Sequence, residues 1–148
     1  VVETGKYRNP EAEAYMVRML GERRDKTARH WFDRVAPLDY FALVGSTLEF
    51  SDLGEERELY PGTIPRYRLQ VALMNGERKT PGWSDWMETD SPRVDLGDPG
   101  IQPVVDGSPA SEYSFLAFRL QVNRGTGWSS RVTVFASRES KRIVELVR

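Results

Sequence analysis

The stretch WFDRVAPLDYFALVGSTLEF, residues 31–50, decides the fold because the spacing of apolar residues changes within it. Before Pro37 the apolar residues recur every three or four positions, as they do on one face of a helix. Proline cannot continue a helix, and it disfavours helical geometry at the residue before it. After Pro37 apolar and polar residues alternate, which is typical of strands. The sequence therefore predicts one helix followed by a β-rich body.

The helix is predicted over about residues 10–35. Asn9 is a favourable N-cap, and Pro10 suits the first helical position because the amide it lacks would have no partner there. The apolar residues at helical spacing are Val17, Leu20, Ala28, Trp31 and Val35. This stripe predicts that the helix either covers one sheet face or projects toward a partner.

Arg24 interrupts the apolar stripe of the helix. Its stem can lie over the edge of an interface, or its charge can pair with an acid of the body or of a neighbouring domain. Together with Trp31 and Phe32, it forms the interdomain interface that we expect on this helix.

The chain after Pro37 predicts about six antiparallel strands. They are expected at 40–44, 47–50, 67–73, 116–122, 132–136 and 142–147. Gly45-Ser46 suits a two-residue type II′ hairpin loop. Local turns between short strands predict a mainly β fold, an antiparallel β-sandwich of the immunoglobulin/fibronectin-like or jelly-roll-like kind. The expected organisation is a connector helix, residues 1–37, and a β-sandwich domain, residues 38–148, in one structural unit.

Residues 77–109 are predicted to be a long loop, and they hold five of the nine prolines. Loops of this length are usually functional or disordered, and tryptophans argue against disorder. If Trp83 and Trp86 share a face, they form a platform for a sugar ring; if they fold back, they anchor the loop and offset its ordering entropy. The expected ligand-binding residues are Trp83, Trp86, Asp85, Glu88 and Asp90.

The acids of the same loop suggest calcium as a second interpretation. They are Asp85, Glu88, Asp90, Asp95 and Asp98. Calcium takes about six to eight converging oxygens, and the spacing of these acids matches no calcium-loop pattern. We therefore expect solvated acids, with no metal ligand and no cofactor.

Composition excludes several classes of protein. Lys and Arg together number 21 and Asp and Glu 22, so the net charge is −1. This balance argues against a nucleic-acid partner, which requires clustered positive charge. No apolar run approaches the ~18 residues of a membrane-spanning helix, so membrane insertion is not expected. The absence of cysteine excludes disulfides, zinc-thiolate sites and thiol catalysis.

No catalytic residue is predicted. The sequence lacks a Gly-x-Ser-x-Gly elbow, a phosphate-binding loop and a dinucleotide fingerprint. Its single histidine, His30, falls on the predicted helix and has no second histidine with which to bind a metal. Paired carboxylates, as in glycoside hydrolysis, leave little mark in one sequence, so a hydrolase remains the enzymatic alternative.

Two sequence segments, ERRDK at 22–26 and WFDRVAPLD at 31–39, resemble the C-terminal regions of larger uncharacterised bacterial proteins. The resemblance covers residues 1 to about 50; the remainder is similar only in general layout, and the tryptophan loop does not match. It supplies no catalytic or binding residues. It implies a terminal region of a larger bacterial protein that is secreted or placed in the cell envelope.

These observations predict a non-catalytic accessory β-domain with a binding or positioning role. Its expected partners are the remainder of a larger polypeptide and a carbohydrate or cell-envelope ligand at the Trp83/Trp86 loop. The chain opens Val1-Val2-Glu3 rather than with Met, which adds to the expectation of a longer product. The alternatives are a purely structural interdomain module and a carboxylate-based hydrolase fragment.

Overall fold

The computed structural model of the chain describes residues 9–148. Its α-helices are α1 (Pro10–Phe32) and the single turn α2 (Leu53–Glu56), and a 3₁₀ turn spans Ala110–Glu112. Its strands are β1 (Leu38–Val44), β2 (Thr47–Asp52), β3 (Arg66–Met74), β4 (Met87–Thr89), β5 (Arg93–Asp95), β6 (Phe115–Asn123), β7 (Val132–Ser137) and β8 (Ile143–Val147). The first eight residues of the predicted connector lie outside the described part of the chain.

The helix predicted from Asn9 onward is confirmed. The Asn9 side chain accepts a hydrogen bond from the Glu11 amide at 2.9 Å, as an N-cap does. The last helical residue is Phe32, three residues before the predicted end, although one more turn follows in which the Val35 amide donates to the Trp31 carbonyl at 2.8 Å. Pro37 then lies buried directly before β1.

The strands form two antiparallel sheets, one in the order β1-β2-β5 and the other in the order β4-β3-β6-β7-β8. Their inner faces share one apolar core. Leu48 of the smaller sheet and Leu69, Phe118, Leu120 and Val134 of the larger sheet belong to it, and all are almost completely buried. Side chains alternate between the two faces of a strand, so every second residue of β3 and β6 enters this core. The prediction of a mainly β, two-sheet sandwich behind a long helix is confirmed.

The hairpin between β1 and β2 turns at the predicted residues. Gly45 has a φ of +63°, while Ser46 is not among the residues with positive φ. A type II′ turn requires this combination, and glycine adopts the first position without steric cost.

The segment predicted as the long loop 77–109 contains two short strands, β4 and β5. β4 pairs with β3 at one end of the larger sheet, and β5 completes the smaller sheet by pairing with β2. Each strand has three residues, which is too short to show an alternating pattern in the sequence. The loop therefore contributes an edge strand to each sheet.

α1 projects from the body instead of covering a sheet. None of its residues is buried, and no described strand packs extensively against it. Within residues 9–148, neither helix is both long enough and apolar enough to cross a membrane.

Candidate functional site

The tryptophan loop runs along the free edge of β3, beyond the point where β4 stops. The Ser84 amide donates to the Val71 carbonyl at 2.9 Å, and the Ser84 hydroxyl accepts from the Val71 amide at 3.0 Å. The Gln70 side chain donates to the Ser84 carbonyl at 2.8 Å. The first two bonds satisfy backbone groups of β3, the third satisfies the Ser84 carbonyl of the loop, and together they hold the loop against the edge of β3.

Trp83 folds back onto the outer face of the larger sheet. Its ring lies under the guanidinium of Arg119, with 3.8 Å between the Arg119 Cζ atom and the ring centroid. It also packs against a small apolar cluster of that face, whose buried members are Ala72, Met74 and Ala117. Apolar contact and cation–π attraction both stabilise this position.

Trp86 lies on the same outer face of the larger sheet, where it contacts Arg68 of β3. The Arg68 guanidinium lies between Trp86 and Trp128, with its Cζ atom 4.5 Å and 4.4 Å from the two ring centroids. Arg68 also donates twice to the Gln121 side-chain oxygen, at 3.1 Å and 2.8 Å. The Gln121 amide in turn donates to the Ser129 carbonyl. Arg68 is thus held from three sides.

We call this surface the Trp–Arg face, and it consists of Trp83, Trp86, Trp128, Arg68 and Arg119. The two loop tryptophans do share one face, but each indole has a ring surface covered by an arginine. Their contacts correspond to the anchoring interpretation, and the tryptophans are half-buried. Whether the remaining ring surface binds a sugar stays a prediction.

Arg119 has no carboxylate partner in the described part of the chain. Partial burial, and secondarily the charge of Arg131, lower the pKa of Arg119. Arg119, in the Trp–Arg face, and Arg131 beside it are therefore two neighbouring positive charges, and neither forms an ion pair with an acid of residues 9–148. An anionic group would reduce their repulsion.

The three loop acids of the predicted site do not gather around the tryptophans. Glu88 forms an ion pair with Arg66 at 3.1 Å, and Asp85 is exposed. Asp90 lines a different feature, a cleft beside the smaller sheet. The structure thus unites Trp83 and Trp86, and it separates Asp90 from them.

The cleft that Asp90 lines has a volume of about 450 Å³. Its walls include the edge-to-face pair Phe50–Tyr67, with ring centroids 5.2 Å apart, and the acids Glu55 and Glu56. Carboxylates that act as general acids are normally desolvated, whereas Glu55, Glu56 and Asp90 are exposed. The cleft gives the hydrolase interpretation little support.

The acids considered for calcium are engaged separately. Asp95 and Asp98 each accept a hydrogen bond from a backbone amide two residues ahead, those of Gly97 at 2.9 Å and Gly100 at 2.8 Å. Such bonds stabilise local turns. Over residues 9–148, no group of three or more potential metal-ligating side chains converges.

The predicted interface residues lie on the projecting helix. Trp31 is 58% exposed, and Phe32 is half-buried. Arg24 points to solvent and pairs with its neighbour Asp25, with 2.6 Å between Nη2 and Oδ1. The helix face is therefore not covered by the strands of its own body.

A polar network at the base of α1 was not predicted from the sequence. The Tyr60 hydroxyl donates to Asp33, just after the helix, at 2.9 Å. Arg124 lies over the Tyr60 ring, 4.5 Å from its centroid, and forms a buried ion pair with Asp52. The Tyr67 hydroxyl donates to Asp52 at 3.0 Å. The residues come from five separate segments, so no local pattern could have indicated the network.

Gly54 lies in close contact with the side chains of this polar network. A Cβ atom at this position would lie 2.8 Å from Arg124 Nη2 and 3.0 Å from the Tyr60 ring. Burial, together with the hydrogen bond to Asp33, raises the pKa of Tyr60 to about 12. Burial and the charge of Asp52 raise the pKa of Tyr67 as well. Both hydroxyls therefore stay protonated and donate their hydrogen bonds at neutral pH.

Comparisons with family models, with curated proteins and with solved structures find no significant match to this chain.

Proposed function

We propose that the chain is a non-catalytic interaction domain that docks through α1 and holds its β-sandwich in position within a larger bacterial protein. The observation that carries this proposal is the exposed apolar face of α1. Val17, Leu20 and Trp31 are 53%, 50% and 58% exposed, and no strand of the body covers them. Burying such side chains against a partner is favourable by about 25 cal/mol per Å² of apolar area.

The junction at the base of α1 supports a positioning role. Asp33 and Tyr60 join the end of the helix to the body, and Tyr60 lies against the buried Arg124–Asp52 pair. A helix held in this way transmits the orientation of its partner to the β-sandwich. A flexible linker would not need these contacts.

A catalytic role has less support in the described residues. The exposed His30 interacts with Arg34 on the surface of the helix. The carboxylates around the cleft are either exposed or, like Asp52, paired with an arginine. Neither arrangement provides the desolvated acid and base that hydrolysis needs.

Cysteine labelling tests the docking proposal directly, because the sequence contains no cysteine. A Leu20→Cys variant places one thiol on the apolar face, and Lys26→Cys places one on the opposite, exposed side of α1. In the dilute isolated chain both thiols should react with a maleimide at similar rates. In the full-length polypeptide, Cys at position 20 should react much more slowly, while Cys at position 26 should not change. Equal rates at both positions in the full-length protein would contradict docking through α1.

Glycan binding at the Trp–Arg face is a second candidate function. It is favoured by the placement of Trp83 and Trp86 on one sheet face beside Arg119, which has no acidic partner. This charge favours an acidic saccharide, such as an anionic cell-envelope fragment, over a neutral one. Titration with neutral and anionic oligosaccharides should shift the tryptophan fluorescence only for the anionic set. Oligosaccharide binding that is unaltered in Trp83→Ala and Trp86→Ala variants would exclude the Trp–Arg face as the binding site.

A further inference from the structure

We propose that Arg119, Arg131 and Thr133 form an anion subsite that binds a carboxylate or phosphate group of an acidic oligosaccharide. The inference rests on the second candidate function, glycan binding at the Trp–Arg face. It names the part of the ligand that is recognised and the side chains that recognise it. All three residues lie outside the segment 77–109, in which the sequence predicted the binding residues.

The three side chains lie together on the outer face of the larger sheet. Thr133 of β7 is directly opposite Arg119 of β6 in the antiparallel register. Arg131 comes just before β7 and two residues before Thr133, which places it on the same side of the sheet and diagonally across from Arg119. Diagonal neighbours of this kind are about 7 to 8 Å apart, so two long arginine side chains reach one anion between them.

None of the three side chains has a hydrogen-bond or ion-pair partner within residues 9–148. Burial, and secondarily the charge of Arg131, lower the pKa of Arg119, so the two guanidinium groups lie within electrostatic range of each other. An anion placed between them replaces this repulsion by attraction to both. The Thr133 hydroxyl adds a neutral hydrogen-bond donor to the same place.

Trp83 supports Arg119 without using its hydrogen-bond donors. The Arg119 Cζ atom is 3.8 Å from the centroid of the Trp83 ring. At this distance the guanidinium contacts the ring with its flat side, whereas its N–H groups lie in the guanidinium plane. These donors therefore remain available, and their planar arrangement fits the oxygens of a carboxylate or a phosphate.

The two acids that strands place on this outer face are already paired. Glu88 lies opposite Arg68 in the register but forms its ion pair with Arg66, at 3.1 Å. Glu145 of β8 forms an ion pair with Arg78. The whole chain has a net charge of −1, yet the subsite carries two positive charges with no paired acid. Such a local excess attracts an anionic ligand.

The covered tryptophan rings favour a saccharide over a nucleic acid. Proteins that bind single-stranded nucleic acids stack the bases on aromatic rings. Here the guanidinium groups of Arg119 and Arg68 already lie over the rings of Trp83 and Trp86. The hydroxyl groups of a saccharide hydrogen-bond to side chains such as Thr133 and do not require a free ring.

Calorimetric titration of the whole chain tests the subsite. The probes are tetragalacturonate, which carries carboxylates, a phosphorylated maltotetraose and the unmodified maltotetraose. We expect an acidic probe to bind and the neutral probe not to bind up to about 5 mM. Comparison of the two acidic probes identifies the anion as a carboxylate or a phosphate. Raising the NaCl concentration from about 20 mM to about 500 mM should weaken the binding.

Three single variants locate the binding. Arg131 is exposed, so Arg131→Gln should fold normally and should weaken the acidic probe about tenfold by removing a charged hydrogen bond. Arg119→Lys keeps the charge but loses the planar fork of donors, so it should also weaken binding. Arg23→Gln makes the same change of charge at an exposed position of α1 and should leave the affinity unchanged.

The outcomes separate the subsite from glycan binding itself. Binding of an acidic saccharide that neither Arg131→Gln nor Arg119→Lys weakens overturns the subsite and leaves glycan binding standing. Failure of both acidic saccharides to bind overturns both proposals, and equally tight binding of neutral maltotetraose overturns anion recognition. An oligothymidylate or a hexaglutamate peptide that binds more tightly than the acidic saccharides overturns the ligand class. The labelling of Leu20→Cys decides separately whether α1 docks on a partner.

Discussion

Arg124 and Asp52 form an ion pair that is almost completely removed from solvent. The two side chains are 6% and 2% exposed, and 72 residues of sequence separate them. Asp52 also caps α2 by accepting a hydrogen bond from the Gly54 amide at 2.9 Å. The pair therefore joins the end of β2 to the turn after β6, directly beneath α1.

Removing one partner of this pair should be strongly destabilising. In an Arg124→Met variant, the buried Asp52 carboxylate loses its counter-charge, and we expect the free energy of unfolding to fall by about 3 to 5 kcal/mol. Urea denaturation followed by circular dichroism measures this loss. The double variant Asp52→Asn/Arg124→Met leaves no buried charge and keeps a capping oxygen, so it should lose less than the single variant. A double variant that is less stable than Arg124→Met would refute this account.

Stability should decline at high pH because of Tyr60. Its pKa is about 12 in the folded protein against an ordinary value of 10.0. Between about pH 10 and about pH 12 the unfolded chain releases this proton while the folded chain retains it, so the free energy of unfolding falls as the pH rises. Thermal denaturation at a series of pH values between roughly 9 and 11 measures the slope.

The Tyr60→Phe variant provides the matched control for this pH dependence. It keeps the ring beneath Arg124 and removes the hydroxyl that binds Asp33. Its stability should fall less steeply with pH than that of the unaltered chain, and Tyr67, whose pKa is also raised, accounts for part of what remains. Identical slopes in the two proteins would show that Tyr60 does not contribute.

Ser84 should contribute more to stability than its place in a loop suggests. In a Ser84→Ala variant, the buried Val71 amide loses its acceptor, which we expect to cost about 1 to 3 kcal/mol. Urea denaturation measures the cost, and hydrogen exchange at Val71 should accelerate. Ser140→Ala, at an exposed turn, should change stability by less than about 0.5 kcal/mol. Equal effects of the two substitutions would contradict the anchoring of the loop at this point.

The apolar face of α1 should be dispensable for folding of the isolated chain. Leu20→Gln should change the free energy of unfolding by less than about 0.5 kcal/mol when measured at high dilution. Leu120→Ala, in the core between the sheets, should cost about 2 to 5 kcal/mol because Leu120 is completely buried. Thermal denaturation of both variants checks the contrast. A large loss from Leu20→Gln would mean that α1 packs on its own body.

The sequence predicted the elements whose cause is local. Asn9 caps the helix through an amide two residues away, and Pro37 ends helical geometry by its own ring. The alternation in β3 and β6 reflects burial of one face, so it was visible along the chain. The three-residue strands β4 and β5 were not visible, because their pairing depends on neighbours supplied by β3 and β2.

The structure brings together only some of the residues of the predicted site, for a similar reason. Two tryptophans three residues apart indicated a surface, but the arginines that cover them, Arg68 and Arg119, lie on strands elsewhere in the sequence. The separation of Asp90 from Trp83 followed from the path of the loop across both sheets. No spacing rule within residues 77–109 contains that information.

The amino-acid sequence by itself determined a capped helix, its end before Pro37 and a body of alternating strands, because these features arise from interactions over a few residues. Only the tertiary structure decided that α1 leaves its apolar face open, that Trp83 and Trp86 pack onto arginines, and that Arg124 meets Asp52 beneath the helix. Each of these depends on contacts between distant segments, which are selected by how the whole chain buries its apolar surface.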